Sequence, residues 1–244
     1  MDKAEEEIVL FDIPTRPPRK CWSYNPWRAR MLLSYKGLKY RTEWLEYPEI
    51  RKRLENHVPP NPSEPLYTLP AILLPNGTYT MTNTSILHQI NTLHPSPPLP
   101  YETPALALLF GHLEPFMDSF RAIYLPAVAR NLLSETSAEY FRRNRSDSVG
   151  MSLEELEGTR GGERAYGEME VHLRGVTALL GEDESGPFFG GTEVAYVDFV
   201  WVGLLVFVKK LGDGVFEEVM RRSGKEEVHG RLLDAFGKWT ERED

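Results

Sequence analysis

The stretch HPSPPLPYETP, residues 94–104, divides this chain into two unlike halves. Four prolines precede Pro104 within it. Each fixes its own φ and removes a backbone donor, so no helix runs through and the segment reads as a semi-rigid spacer. Ahead of it, short β-prone runs alternate with helical patterns. Behind it, no convincing strand is found. The chain is therefore expected to fold as an α/β unit (1–93), a linker (94–104) and an all-helical unit (105–244).

In the first half, Ile8–Phe11 reads as a buried strand. Asn25 is the expected N-cap of the first helix, with Pro26 at its first position and Gly37 just past its end. Trp27, Met31, Leu32 and Tyr35 share a face. Residues 40–46 alternate as a strand does, and 49–56 suit a helix. LPAILL (69–74) and TYTM (78–81) flank Asn76–Gly77, a hairpin signal. Residues 83–93 form a helical pattern with Ile86, Leu87, Ile90 and Leu93 on one face. The order is β-α-β-α-β-β-α with a mixed sheet. In the second half, 105–133 is helical, with kinks or breaks expected at Pro115 and Pro126. Residues 144–164, polar and Gly-rich, read as a mobile loop. Helices follow near 165–180, 196–210, 214–222 and 229–240.

The charge balance narrows the function. A net charge of −8 argues against a general nucleic-acid binder. The single cysteine, Cys21, excludes an intrachain disulfide and fits a reducing compartment. The six histidines are scattered and no metal-binding spacing occurs, so no metal is expected. The opening MDKAEEE is not a secretory signal. The longest apolar run, 197–208, is too short to cross a bilayer and reads as a buried helix. A cytoplasmic protein is expected. Against the acidic whole, residues 15–53 carry eleven Lys/Arg and three Glu. That excess is either solvated surface or a site for a small anion.

Three stretches, in order, resemble the cytosolic glutathione transferases. They are Thr68-Leu69-Pro70-Ala71, the segment SYNPWRARMLLSYKGLKYRTEWLEYPEI from Ser23, and FFGGTEVAYVDF at 188–199. The opening segment is similar to the fungal and bacterial etherase-like branch, and in particular to fungal transferases related to those of ustiloxin and pseurotin biosynthesis. The resemblance implies a thioredoxin-like N-terminal domain, an all-α C-terminal domain, glutathione as cosubstrate and a homodimer.

It also implies roles. Glutathione chemistry needs a thiolate at neutral pH, whereas a free thiol has a pKa of about 8.5. A helix N-terminus and a hydroxyl donor both favour the anion. The family match makes Ser23 that donor, with Tyr24 the alternative and Asn25 a cap or a second catalytic group. Pro70 is implied to be cis, with the Leu69 backbone pairing with the cysteinyl backbone of glutathione. Thr82 and Asn83 stand where the family holds the γ-glutamyl end with an acid followed by serine. Asn83 retains capping and donor ability, but Thr82 carries no charge for the ammonium. Lys52 and Arg28 are the candidate partners of the glycyl carboxylate. At the last of the three stretches Ala195 stands where the family carries a Ser/Thr cap ahead of Asp198. Phe116, Met117, Phe120 and Tyr124 recur at helical spacing, either as core or, with Tyr24, as the wall of an apolar electrophile pocket.

Three readings stay open. One is an enzyme that adds the thiolate to a conjugated polyketide or aromatic electrophile, with reversible addition giving cis–trans isomerisation. Another is a non-catalytic ligand-binding or regulatory protein. The third is monothiol redox chemistry at Cys21.

Overall fold

The computed structural model describes residues 7–244. The acidic opening, residues 1–6, and with it the expectation of no secretory signal, lies outside the described residues. The chain divides into two compact units. The first takes in Met1–Pro98, Leu133–Tyr140 and Trp239–Asp244; the second takes in Leu99–Leu132 and Phe141–Lys238.

The sheet of the first unit contains β1 (Ile8–Asp12), β2 (Tyr40–Trp44), β3 (Ala71–Leu73) and β4 (Tyr79–Met81) in the order β2-β1-β3-β4. β1 runs parallel to β2 and antiparallel to β3, and β3 is antiparallel to β4. All five residues of β1 are buried, so both faces of that strand are covered. On one face Val9 and Phe11 pack with Leu45, Ile50, Leu54, Val58, Ala71 and Met81. Between the strands lie α1 (Tyr24–Tyr35), a 3-10 turn at Tyr47–Glu49 with the short α2 (Ile50–Leu54), and α3 (Asn83–Leu93).

The end of α1 is specified locally. Gly37, at φ +66°, donates its N–H to Ser34, and Leu38 donates to Leu33, both at 3.0 Å. This is a Schellman closure, which needs a left-handed residue at that position. The start differs from the sequence expectation. Ser23 is the N-cap, and Asn25 and Pro26 are the second and third helical residues. Pro is tolerated there because none of the first N–H groups has an intrahelical partner. On α3, Ile86, Leu87 and Ile90 are buried, but Leu93, at the last position, is 51% exposed and does not extend the apolar face.

Residues 133–140 dock on the first unit through Glu46. Its carboxylate accepts from Ser134 Oγ at 2.7 Å and from Ser137 Oγ, while Ser137 Oγ accepts from the Tyr47 N–H at 3.1 Å.

The second unit is helical: α4 (Pro104–Ala127), a π-helical stretch at Val128–Leu132, α5 (Glu135–Val149, shared with the first unit), α6 (Leu153–Arg160), α7 (Gly162–Leu180), α8 (Tyr196–Lys210), α9 (Asp213–Ser223) and α10 (Glu226–Thr240). Neither proline breaks α4, which continues through Pro115 and Pro126; the wider π geometry begins two residues after the second. One expectation is corrected. The segment 144–164 is not a loop. Ser152 Oγ caps α6 by accepting from Glu155 at 3.1 Å, Leu153 and Leu156 are buried, and Gly150 (φ +74°) and Gly162 (φ +58°) make the breaks on either side. The apolar run 197–208 lies in α8, with every residue buried except Val206. Among the described residues no helix is long and apolar enough to cross a membrane.

α8 begins at Ala195, which has no side chain to cap it. Asp198 supplies the return half of a capping box: its Oδ2 accepts from the Ala195 N–H at 2.7 Å and its Oδ1 from the Phe189 N–H at 2.9 Å. Burial pushes its carboxyl up to about 7 against these hydrogen bonds. Deeper in the unit, Trp201 Nε1 donates to His229 Nδ1 at 3.0 Å, and Thr177 Oγ1 lies 2.9 Å from His229 Nε2. Burial lowers this imidazole to about 4. With Nδ1 accepting, the proton of the neutral ring sits on Nε2 and is donated to Thr177. Arg222 ties α9 to α7, donating to Glu163, Glu170 and Glu218.

Candidate active site

The strand directions gather the sequence-predicted residues of the first unit at one end of its sheet. Phe11, near the end of β1, pairs with Ala71 at the start of β3, which in turn pairs with Met81 at the end of β4. The connection from β1 to α1, the approach to β3 and the turn into α3 therefore start from the same edge. β2, parallel to β1, ends there too and leads into α2. Ser23, Leu69, Pro70, Thr82 and Asn83 lie on these connections or just beyond them, and Lys52 is on α2. Loops at the carboxyl ends of parallel strands are where ligands of open α/β sheets sit.

Ser23 holds an extended backbone (φ −74°, ψ 135°) and its hydroxyl makes no capping bond. It stands at the positive end of α1 with unpartnered N–H groups behind it. Tyr24 follows. Its hydroxyl is buried without a hydrogen-bond partner, and burial raises its pKa, with Arg28 acting in the opposite direction. The Arg28 guanidinium lies 4.7 Å from the Tyr24 ring centroid, donates to Asn25 Oδ1 and leaves Nε buried and unpaired. Asn25 is exposed and orients Arg28; it does not cap the helix.

The Leu69–Pro70 bond is cis. No described residue hydrogen-bonds to the Leu69 N–H or C=O, whereas the Pro70 carbonyl accepts from Thr82 at 3.3 Å. Thr82 is the described non-glycine residue at positive φ, +74° with ψ 145°. For a β-branched side chain this costs on the order of 1–3 kcal/mol, so the surrounding structure enforces it. Its hydroxyl caps α3, accepting from the Ser85 N–H at 3.4 Å and donating to Ser85 Oγ at 3.1 Å. The cap is therefore Thr82, and Asn83 is the first helical residue, which corrects the capping role expected of Asn83.

The basic excess is largely committed within the protein. Arg30 is fully buried on Asp12, Arg53 donates to Glu43 and to the Tyr79 hydroxyl, and Arg51 pairs with Glu55. Lys52 is exposed. The Arg30 arrangement was not foreseen, because an arginine on the buried face of an amphipathic helix looks in sequence like an interruption of the pattern.

In the second unit, Phe116 and Phe120 are 1% and 0% exposed. They pack on Trp201 and Phe207 and form core, which corrects their assignment to a pocket wall. Tyr124, tilted against Phe120 and edge-on to Phe207, keeps part of its surface; Met117 does too.

The helical half decides the family. A family model described as the glutathione S-transferase C-terminal domain matches residues 105–239. The chain is also 32% identical to the glutathione S-transferase-like protein ustS of Aspergillus flavus, over 99% of this chain and 94% of that protein. The chain belongs to the glutathione S-transferase family.

Two solved members show the same fold over nearly their full lengths. The glutathione transferase GSTFuA3 of Phanerochaete chrysosporium is 26% identical with a TM-score of 0.82, covering 96% of this chain and 97% of that one. The glutathione S-transferase CsGST63524 of Ceriporiopsis subvermispora, solved in complex with glutathione, is 26% identical with a TM-score of 0.83, covering 96% and 98%. Within this fold, the Ser23 hydroxyl on the β1–α1 connection and the Leu69 backbone groups are the open hydrogen-bonding positions described above.

Proposed function

We propose that this chain is a glutathione transferase that ionises the bound thiol with Ser23 and the N-terminus of α1. The observation that carries the reading is the Ser23 hydroxyl, uncommitted at the positive end of a twelve-residue helix. Glutathione would supply the nucleophilic sulfur. The open N–H and C=O of Leu69 suit an antiparallel pairing with its cysteinyl backbone, and Lys52 or Arg28 suits its glycyl carboxylate. Ser23 donates a hydrogen bond from its hydroxyl to the sulfur anion, keeping its own proton, and the thiol proton leaves to solvent. Tyr24 carries a phenol with no internal partner, and so has a donor to offer an electrophile.

The electrophile class we propose is a conjugated polyketide or aromatic compound of fungal secondary metabolism. The ustS likeness and the unpartnered phenol of Tyr24 support that reading. Addition of the thiolate to a conjugated double bond, followed by rotation and loss of the same thiolate, would isomerise the bond and return glutathione unchanged. A cytoplasmic homodimer is part of the proposal.

A second reading, a glutathione-fold protein without catalysis, is favoured by Thr82, whose hydroxyl is spent on the α3 cap and which bears no charge for the γ-glutamyl ammonium. Glutathione titration with the near-ultraviolet thiolate absorbance separates the two. Binding with ionisation below the free thiol pKa of about 8.5 supports the enzyme. Absence of binding at millimolar glutathione supports the second reading.

A further inference from the structure

The turn that presents Ser23 is tied to a distant part of the chain. Residues 13–21 leave β1 and double back, with the Thr15 N–H donating to Lys20 at 2.9 Å and a bridge between Pro14 and Cys21. The Cys21 N–H then donates to the Glu243 carbonyl at 2.9 Å. That tail has its own anchors. Trp239 lies edge-on to Tyr35, with centroids 5.1 Å apart. Arg242 donates to the Tyr40 carbonyl and lies over the Tyr40 ring at 4.3 Å, covering the outer edge of β2. The Asp244 carbonyl accepts from Arg30 Nη1 and Thr42 Oγ1, each at 2.7 Å. Arg30 in turn holds Asp12 at 2.8 Å, and Asp12 Oδ1 accepts from the Ile13 N–H at 2.6 Å. The chain of contacts thus runs from Ile13 through Asp12, Arg30, Asp244 and Glu243 to Cys21. It bridges the outgoing and returning limbs of the β1–α1 connection.

We propose that residues 239–244 are a clasp that positions Ser23 for thiol ionisation. The inference rests on the reading of Ser23 given above. The tail touches the limb carrying Ser23, and among the described residues no hydrogen bond joins it to Leu69 or Pro70. Loosening the clasp therefore separates two properties. Glutathione stays held by the Leu69 segment, while the hydroxyl drifts from the sulfur, and a displacement of about 1 Å suffices to weaken such an interaction strongly. Cys21, fully buried and two residues before Ser23, reports the loosening as a thiol that becomes reactive.

The test uses Arg242→Ala in the full chain, with a chain ending at Glu241 as the stronger perturbation. Three quantities are read: glutathione affinity, the pKa of the bound thiol from its absorbance, and the rate at which a thiol reagent labels Cys21. The expected result for Arg242→Ala is a bound-thiol pKa raised by about 0.5–1, affinity within about threefold, and labelling about tenfold faster. The shortened chain shows the same pattern, larger. If labelling accelerates while the bound-thiol pKa stays fixed, the tail is only a structural brace and the inference is overturned. Affinity and ionisation lost together overturn it as well. If the unaltered chain itself binds glutathione without ionising it, the Ser23 reading fails first, and the positioning role falls with it.

Discussion

Arg30 Nε stands 2.8 Å from Asp12 Oδ2, and neither side chain is exposed to solvent. Each of the other two guanidinium nitrogens also has an acceptor: Thr42 Oγ1 accepts from Nη2 at 2.9 Å and the Asp244 carbonyl from Nη1. Such a pair adds little net stability over apolar residues of similar shape, but breaking it leaves an unpaired buried charge. Arg30→Met is therefore expected to cost about 3–5 kcal/mol in denaturant unfolding, and the double variant with Asp12→Leu to cost less than the single one. A double variant as destabilised as Arg30→Met would contradict this account.

His229 gives stability a pH dependence of definite sign. Its folded pKa, about 4, lies below the unfolded value of about 6.5. The neutral ring's contribution is thus complete above pH 6.5 and is lost as pH falls towards 4, by up to about 3 kcal/mol. Asp198, raised to about 7, acts oppositely, since its folded form gains on protonation as pH falls. The His229 contribution is isolated by comparing the protein with His229→Gln. The stability difference between them is expected to shrink by about 2–3 kcal/mol from pH 7 to pH 4.5. A constant difference would show that the ring ionises as freely when folded as when unfolded, and a difference that grows towards pH 4.5 would show that it is charged when folded.

Much of this architecture is legible in the sequence because it is locally encoded. Gly37 stops α1 since only a left-handed residue closes that helix end, and residues 197–208 announce a buried helix by their unbroken apolar character. The misplaced cap shows where local signals run out: Pro26 fits any position of a first turn, so Asn25-Pro26 does not distinguish its register from the one that Ser23 starts. Residues 144–164 look like a loop in sequence because glycine suits a loose segment and a sharp helix break alike, and here Gly150 and Gly162 are the breaks between helices. Arg30 and the tail were invisible for another reason. Their partners lie 18 and more than 200 residues away, and no periodicity carries that information.

At Thr82 the missing acid is expected to limit affinity for the γ-glutamyl end. Thr82→Glu should tighten glutathione binding by about two- to fivefold, the worth of one partly exposed charge pair, while its loss of the hydroxyl cap costs some stability. Calorimetric titration checks it. Unchanged or weaker binding would show that the ammonium is met elsewhere.

The Tyr24 hydroxyl is buried and unpaired within the chain, so Tyr24→Phe should leave thermal stability unchanged or raise it. If the phenol serves the electrophile, kcat/KM falls by about tenfold while glutathione affinity holds. A loss of stability would instead reveal an internal partner for the hydroxyl.

The most direct test of the central claim is the pKa of glutathione's thiol when bound to the protein and to Ser23→Ala, read from the thiolate absorbance across pH. The account predicts a bound pKa clearly below 8.5 in the unaltered chain and a rise of about one or more in Ser23→Ala, with affinity retained. An equal, depressed pKa in both would contradict it and move the ionising role away from Ser23.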